Sequence, residues 1–221
     1  MPAPRKRKLE AAPSLVAKKQ PEQMRAAETF EHILATTAQL LPEVGFERLS
    51  TNLVCERAGL TPPALYRYFP NKYALLGELG RRLMERQNEV IPRWIGPDAL
   101  SGSLEDLERA LASLLIDTYR VTCETPGGVW ILRALRAVPV LQDIRLASHA
   151  VVTEAQTRLL VVAFADVPAE ELALIGRVAV ELIYAAVEML FDEPLNVRAV
   201  AEIVARMIAS QMSRLRKEIS V

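Results

Sequence analysis

The stretch at residues 53–72, LVCERAGLTPPALYRYFPNK, constrains this chain more than any other. Leu53, Val54 and Ala58 give one short helix a buried stripe, and Gly59, which tolerates a left-handed cap, stops it. Leu60 fills the corner. Thr61 then predicts a second helix capped by its hydroxyl, with Pro62 and Pro63 in the first turn, where missing N–H groups cost nothing. Leu65 and Phe69 pack that helix on the first and leave Thr61, Pro62, Ala64, Tyr66, Arg67 and Tyr68 facing outward or sideways. Two helices meeting this way form a helix-turn-helix whose outward face suits a major groove. On periodicity alone, a generic helical hairpin fits as well.

The flanks are helical too. About half of the 221 residues are apolar, enough for substantial cores, and β-branched alternation is hard to find, so the class is all-α. Residues 21–41 repeat apolar side chains (Met24, Ala27, Phe30, Ile33, Leu34, Thr37, Leu40, Leu41) at three and four, an amphipathic helix covering the helix-turn-helix. Pro42 is expected to end or kink it. Ser50 caps the next helix, with Thr51 in its first turn, and a further helix runs from Asn71 or Lys72 to about residue 90. Residues 91–103 concentrate two prolines, two glycines and two serines and read as a domain junction, with Trp94 as a packing anchor. Helices are expected over residues 104–123, from Gly127 or Gly128 to 138, and over 141–164, 168–191 and 196–217. The organisation is thus a basic arm at 1–20, a DNA-binding domain with connector at 21–92, and a larger helical domain at 93–221.

Formal net charge is zero, but residues 1–20 carry +5, against −1 for 21–92 and −4 for 93–221. Arg5, Lys6, Arg7 and Lys8 lead an arm that reads either as a solubilising tail or as a strand following phosphates or a minor groove. Cys55 and Cys123 read as small buried apolar residues rather than a disulfide or metal pair. No apolar run approaches the roughly 18 residues of a membrane helix, and the arm lacks an apolar signal centre, so a cytoplasmic protein without membrane contact is expected. The two histidines, His32 on an exposed face and His149, accompany no nucleophile motif, metal-ligand spacing or phosphate loop. No enzyme, cofactor or metal site is therefore expected.

Residues 45–76, GFERLSTNLVCERAGLTPPALYRYFPNKYALL, closely resemble the DNA-binding region of TetR-family transcriptional regulators. Gly45–Phe46, Arg57–Ala58–Gly59 and the Leu-Tyr-x-Tyr-Phe-x-x-Lys run at Leu65 to Lys72 carry the likeness. It implies a dimeric regulator, expected to be a repressor, that binds palindromic operator DNA and responds to a small-molecule effector. Carried over residue by residue, Thr61, Pro62 and Ala64 approach base edges, Tyr66 bonds a phosphate or stacks near the backbone, Lys72 and Thr51 bind phosphates, and Arg67 and Tyr68 are further contacts. Pro63 departs from the family, which commonly has Gly there, and removes a backbone donor. Lys72 at a helix start opposes the helix dipole, a mild cost that makes sense with phosphate nearby.

In residues 168–191 the charged Glu170, Arg177, Glu181 and Glu188 keep to one narrow stripe, so the helix must be buried on more than one side, and residues 196–217 offer a second broad apolar stripe. Paired across a two-fold axis, these last two helices make a homodimer, as in TetR-like proteins; a monomer with both in its core is the alternative. The effector pocket is expected among Tyr119, Trp130, residues 141–164 and Tyr184. Arg133 and Arg136 either hold an anionic group or pair with surface acids, and Glu181 and Glu188 form either a wet stripe or a polar floor. A helical carrier of apolar ligands, without sequence-specific DNA binding, is the competing function.

Overall fold

The computed structural model describes residues 13–18 and 24–218. All regular structure among them is helical: α1 (Met24–Arg48), α2 (Thr51–Ala58), α3 (Pro62–Tyr66), α4 (Lys72–Asn88), α5 (Ile91–Trp94), α6 (Pro97–Ser101), α7 (Leu104–Glu124), α8 (Gly128–Ala137), a 3-10 turn (Pro139–Leu141), α9 (Gln142–Ala163), α10 (Ala169–Asp192) and α11 (Val197–Glu218). The expected arm residues Arg5, Lys6, Arg7 and Lys8 lie outside the described residues.

Helices α1 to α3 pack around Phe30, Ile33, Leu34, Val54, Leu65 and Phe69, all buried, and Phe30 stacks on Phe69 at 4.8 Å. Helix α1 does not end at Pro42. It continues through it, and the backbone departs from helix only at Gly45 (φ 71, ψ 167). A proline removes one intrahelical bond, the one its N–H would give to the carbonyl four residues back, here that of Ala38. That carbonyl faces Gly127, whose φ is +68 and where an added Cβ would stand 2.6 Å from the Ala38 oxygen. The start of α8 thus approaches α1 as closely as only glycine permits.

Helix α4 starts at Asn71, whose side chain accepts from the Ala74 N–H at 3.0 Å. Leu75, Leu76, Leu79, Leu83 and Met84 are buried along it, against α1 on one side and α7, α8 and α9 on the other. Beyond α4, residues 91–103 do not form an open junction. They fold into α5 and α6, bury Ile95 and Leu100, and Trp94 Nε1 donates to Asp117 Oδ2 at 2.8 Å, as an anchor should. In the body, α7 lies against α11 and α9 against α10. Cys55 is buried as expected, but Cys123 is exposed, because the α7 positions that turn inward near it are Thr118 and Thr122.

Replacing Gly127 by Ala is expected to destabilise the protein by about 2–3 kcal/mol, from the left-handed backbone and the collision with the Ala38 carbonyl together. Urea unfolding measures this; a destabilisation below about 0.5 kcal/mol would show that the α1–α8 approach is slack.

Candidate functional site

The α2–α3 unit is tightly specified. Ser50 accepts from the Leu53 N–H at 3.2 Å. Gly59 closes α2 in the left-handed conformation, its N–H directed to the Cys55 and Glu56 carbonyls. Glu43 of α1 takes the Arg57 guanidinium in two bonds of 2.9 and 2.8 Å, which holds its carboxyl below the usual range. His32 Nε2 donates to the Ala58 carbonyl at 3.0 Å, so this histidine ties α1 to the end of α2 as well as facing solvent.

Helix α3 begins without the expected cap: the Thr61 side chain makes no capping bond. With proline at the second helical position, one of the two N–H groups that a cap would satisfy is absent, and the other, that of Ala64, donates to the Thr61 carbonyl at 3.0 Å. Thr61, Pro62, Tyr66 and Arg67 are exposed and Ala64 half-buried. The Tyr66 hydroxyl lies 3.0 Å from Thr51 Oγ1, which joins the outward edges of the two helices. Tyr68 corrects the sequence reading. It is 5% exposed and meets Phe30 edge-on at 6.0 Å, so it is core and not a surface contact, because the chain leaves helix after Tyr66 and turns the side chain inward.

Lys72 is corrected in part. Its Nζ donates to the Phe46 and Glu47 carbonyls at 3.2 and 2.9 Å, so the charge that opposes one helix start caps the end of α1, where the dipole favours a cation. Residues 13–18, expected to belong to a free arm, run along the start of α4. Lys18 N donates to the Tyr68 carbonyl at 2.7 Å, Asn71 Nδ2 to the Ser14 carbonyl at 3.1 Å and Arg81 to that of Leu15 at 3.4 Å.

A cavity of about 80 Å³ lies in the body, walled by Leu111 and Leu114 of α7, Val152 and Gln156 of α9, Val180 of α10 and Met212 of α11, with Ile91, Ile95 and Leu100 closing one side. Of the expected pocket wall, Tyr184 and, from residues 141–164, Val152, Gln156 and Leu160 line it, whereas Tyr119, Trp130, Arg133 and Glu181 do not. Tyr119 instead stacks on Phe191 at 4.8 Å. Trp130 lies against Gly45 with the Arg133 guanidinium over its ring at 5.2 Å. Arg133 pairs with Asp192 at 2.8 Å and Arg136 with Glu188 at 2.5 Å, the surface pairing that was the plainer of the two expectations. Glu181 accepts from His149 Nδ1 at 2.9 Å and pairs with Arg177 at 2.6 Å. Burial opposes its charge, but these two neighbours outweigh burial and hold its carboxyl below the usual range.

Two polar contacts lead from the cavity wall to α4. The Tyr184 hydroxyl donates to Asn88 Oδ1 at 3.4 Å, and Gln87 Nε2 donates to Thr122 Oγ1 at 2.7 Å, which bonds the carbonyl of the cavity residue Thr118 at 2.9 Å. Sequence reasoning missed Gln87, Asn88, Arg145 and His149. Their only signal is polar side chains at helical spacing inside apolar helices, Arg145 and His149 four apart, and spacing does not say which face is buried. The cavity wall from residues 91–100 was hidden by its resemblance to a linker.

A helix-turn-helix with a polar outward edge, joined by one connector helix to a helical body with an internal apolar cavity, defines a class of DNA-binding proteins. The family model "Bacterial regulatory proteins, tetR family" matches residues 33–79. The class C tetracycline repressor protein of Escherichia coli is 43% identical over 54 residues, which are 24% of this chain and 25% of that one. The chain therefore matches about a quarter of that relative's length. A tetR-family regulator from Streptomyces coelicolor superposes with a TM-score of 0.62 at 17% identity, over 87% of this chain and 88% of that one. The SmeT–triclosan complex does so with a TM-score of 0.62 at 17% identity, over 83% and 91%. Residues 33–79 thus match the TetR family model, and the fold over most of the chain is shared with these solved structures. None of the described helices is long and apolar enough to cross a membrane.

Replacing Lys72 by Met is expected to cost about 1–2 kcal/mol in urea unfolding without any DNA, through the two carbonyls left uncapped. A change below about 0.3 kcal/mol would return Lys72 to a purely DNA-directed role.

Proposed function

We propose that the protein is a homodimeric, cytoplasmic transcriptional repressor that binds a palindromic operator through α3 and changes its DNA affinity when a small apolar molecule enters the body. The observation that carries the reading is the α2–α3 edge, where Tyr66 and Thr51 hold each other at 3.0 Å beside the exposed Thr61, Pro62 and Arg67. A phosphate bound there accepts from the hydroxyl of this pair whose proton the mutual bond leaves free, while Thr61, Pro62 and Ala64 approach base edges. Pro62 and Pro63 offer no N–H, and Ala64 offers only apolar contact, as to a thymine methyl. Shape and the basic arm therefore carry much of the specificity. The basic arm with Arg5, Lys6, Arg7 and Lys8 precedes residues 13–18, of which Lys18 N–H donates to the Tyr68 carbonyl beside the end of α3.

Dimerisation through α10 and α11 is supported by the apolar side chains they leave exposed: Leu174, Val178, Ile203 and Met207 are each half or more accessible. Such a contiguous stripe on two adjacent helices calls for a partner surface, and a two-fold axis there presents two copies of α3 to two half-sites. Effector coupling is supported by the cavity and by its polar contacts with α4. A ligand that displaces Tyr184 or Thr118 disturbs the bonds of Asn88 and Gln87, and a coupling of about 1–3 kcal/mol suffices for a switch.

Selection of bound duplexes from a random pool is expected to enrich a palindrome. On that site Tyr66→Ala should lower affinity at least tenfold while the protein remains dimeric by light scattering. Deleting residues 1–20 should reduce the slope of log affinity against log salt by roughly 0.9 for each phosphate that the arm neutralises. A folded dimer that enriches nothing would favour a carrier of apolar ligands, and an unchanged salt slope would make the arm a solubilising tail.

A further inference from the structure

Between α9 and α10, next to the cavity, lies a polar cluster that the proposed function leaves unused. Arg145 is 8% exposed. Its sole ion-pair partner among the described residues is Glu181, with Nη1 to Oε1 at 3.6 Å, beyond hydrogen-bond range, and its Nε is buried without a partner. The same Glu181 oxygen is already held by Arg177 Nη2 at 2.6 Å and His149 Nδ1 at 2.9 Å. Two guanidinium groups thus share one carboxylate, and the nearer has it. A buried cation left short of a counter-charge is costly, and a guanidinium fork matches the two oxygens of a carboxylate, the commonest anionic group of small apolar molecules.

Two more groups lack partners in the same place. His149 is fully buried, and burial keeps its pKa below the ordinary value, so the ring is neutral at pH 7. Its Nδ1–H donates to the Glu181 carboxylate, which leaves Nε2 as an acceptor with no donor. Thr153, one turn further along α9, has a buried hydroxyl oxygen without a partner. Arg145, His149 and Thr153 follow each other at steps of four on one helix face, so they form a continuous stripe. That stripe adjoins the cavity: the His149 ring stacks on Tyr184 at 4.3 Å and 20°, and Tyr184, with Val152 and Gln156 of α9, lines the cavity. Buried polar atoms in native proteins ordinarily have partners, so a cluster of orphans beside an apolar cavity marks the polar end of a ligand site.

We infer that the effector is an apolar carboxylic acid, its hydrocarbon part in the cavity and its carboxyl group on Arg145. The ligand's carboxylate accepts from Arg145 Nε and supplies the counter-charge that Arg145 lacks, so two guanidinium groups meet two carboxylates. The assignment rests on the cavity being the effector pocket proposed above.

The test is isothermal titration calorimetry of the full chain with sodium octanoate and with 1-octanol, which share their chain and differ in the head group. Octanoate is expected to bind at least tenfold more tightly. Arg145→Met, checked for native helicity by circular dichroism, should bring octanoate down to the affinity of octanol, and Arg145→Lys should keep part of the preference. Equal affinities of the wild-type protein for the two probes would overturn the acid assignment and leave the apolar pocket standing. Binding of neither would overturn both, and the wild-type comparison decides between these outcomes even if the variant fails to fold.

Discussion

Helix α4 is seated in two cores at once, and the rest of the structure depends on that. Its buried leucines pack against α1 on one side and α8 and α9 on the other, and an added Cβ at Gly80 would stand 2.7 Å from a Leu135 side chain. On the α1 side, Arg82 grips Glu31 with two bonds of 2.7 Å while its Nε holds Glu78 at 3.0 Å. A close-packed seat of this kind does not deform continuously, so a shift on one side is passed to the other as a rigid displacement. The start of α4 carries Lys72 and Asn71 beside the helix-turn-helix, and its end carries Gln87 and Asn88 beside the cavity. Two sites with different chemistry are therefore attached to one rod of 17 residues, about 25 Å long at 1.5 Å per residue.

The two ends use different interactions. Near the proposed DNA face the contacts are charged and partly exposed: Arg57 with Glu43, and Lys72 on carbonyls. Salt screens such pairs and each contributes little alone, which suits a surface that must also meet phosphate. At the cavity end the contacts are buried and mostly neutral, through Gln87, Thr122, Asn88 and Tyr184. In a medium of low dielectric a broken bond there leaves an unsatisfied group and a larger free-energy change. Gln87 Oε1 is already without a partner, so this end of the helix is the less settled of the two. The proposed effector would act against these buried bonds rather than against screened surface pairs.

How much of this is legible in the sequence depends on whether a signal is local. The glycine corner, the Ser50 cap and the Leu65–Phe69 pair declare themselves over a few residues, and the long helices follow from apolar spacing alone. A helical wheel extended past Tyr66 turns Tyr68 outward, whereas the chain leaves helix there and buries it. Pro42 misleads in the opposite sense, since a proline costs a helix only one bond, and the carbonyl it frees, that of Ala38, lies against Gly127. The cavity is the least legible part. Its wall joins residues 91–100 to α7, α9, α10 and α11, a meeting set by tertiary packing, and the aromatic residues that look like pocket walls, Tyr119 and Trp130, pack elsewhere. Residues 91–103 carry the prolines and glycines of a linker, yet those residues start and end short helices.

The central claim, that α4 belongs to the body and the helix-turn-helix together, is tested most directly by native-state hydrogen exchange on the free protein. The account predicts that the amides of α4 from Leu75 to Met84 open with the same free energy as those of α8 and α9, as one cooperative unit with the body. Exchange of α4 together with α1 to α3, at a lower free energy than a still-protected α7 to α11, would contradict it. It would mean that the two domains are hinged and that the cavity has no rigid path to the recognition helix.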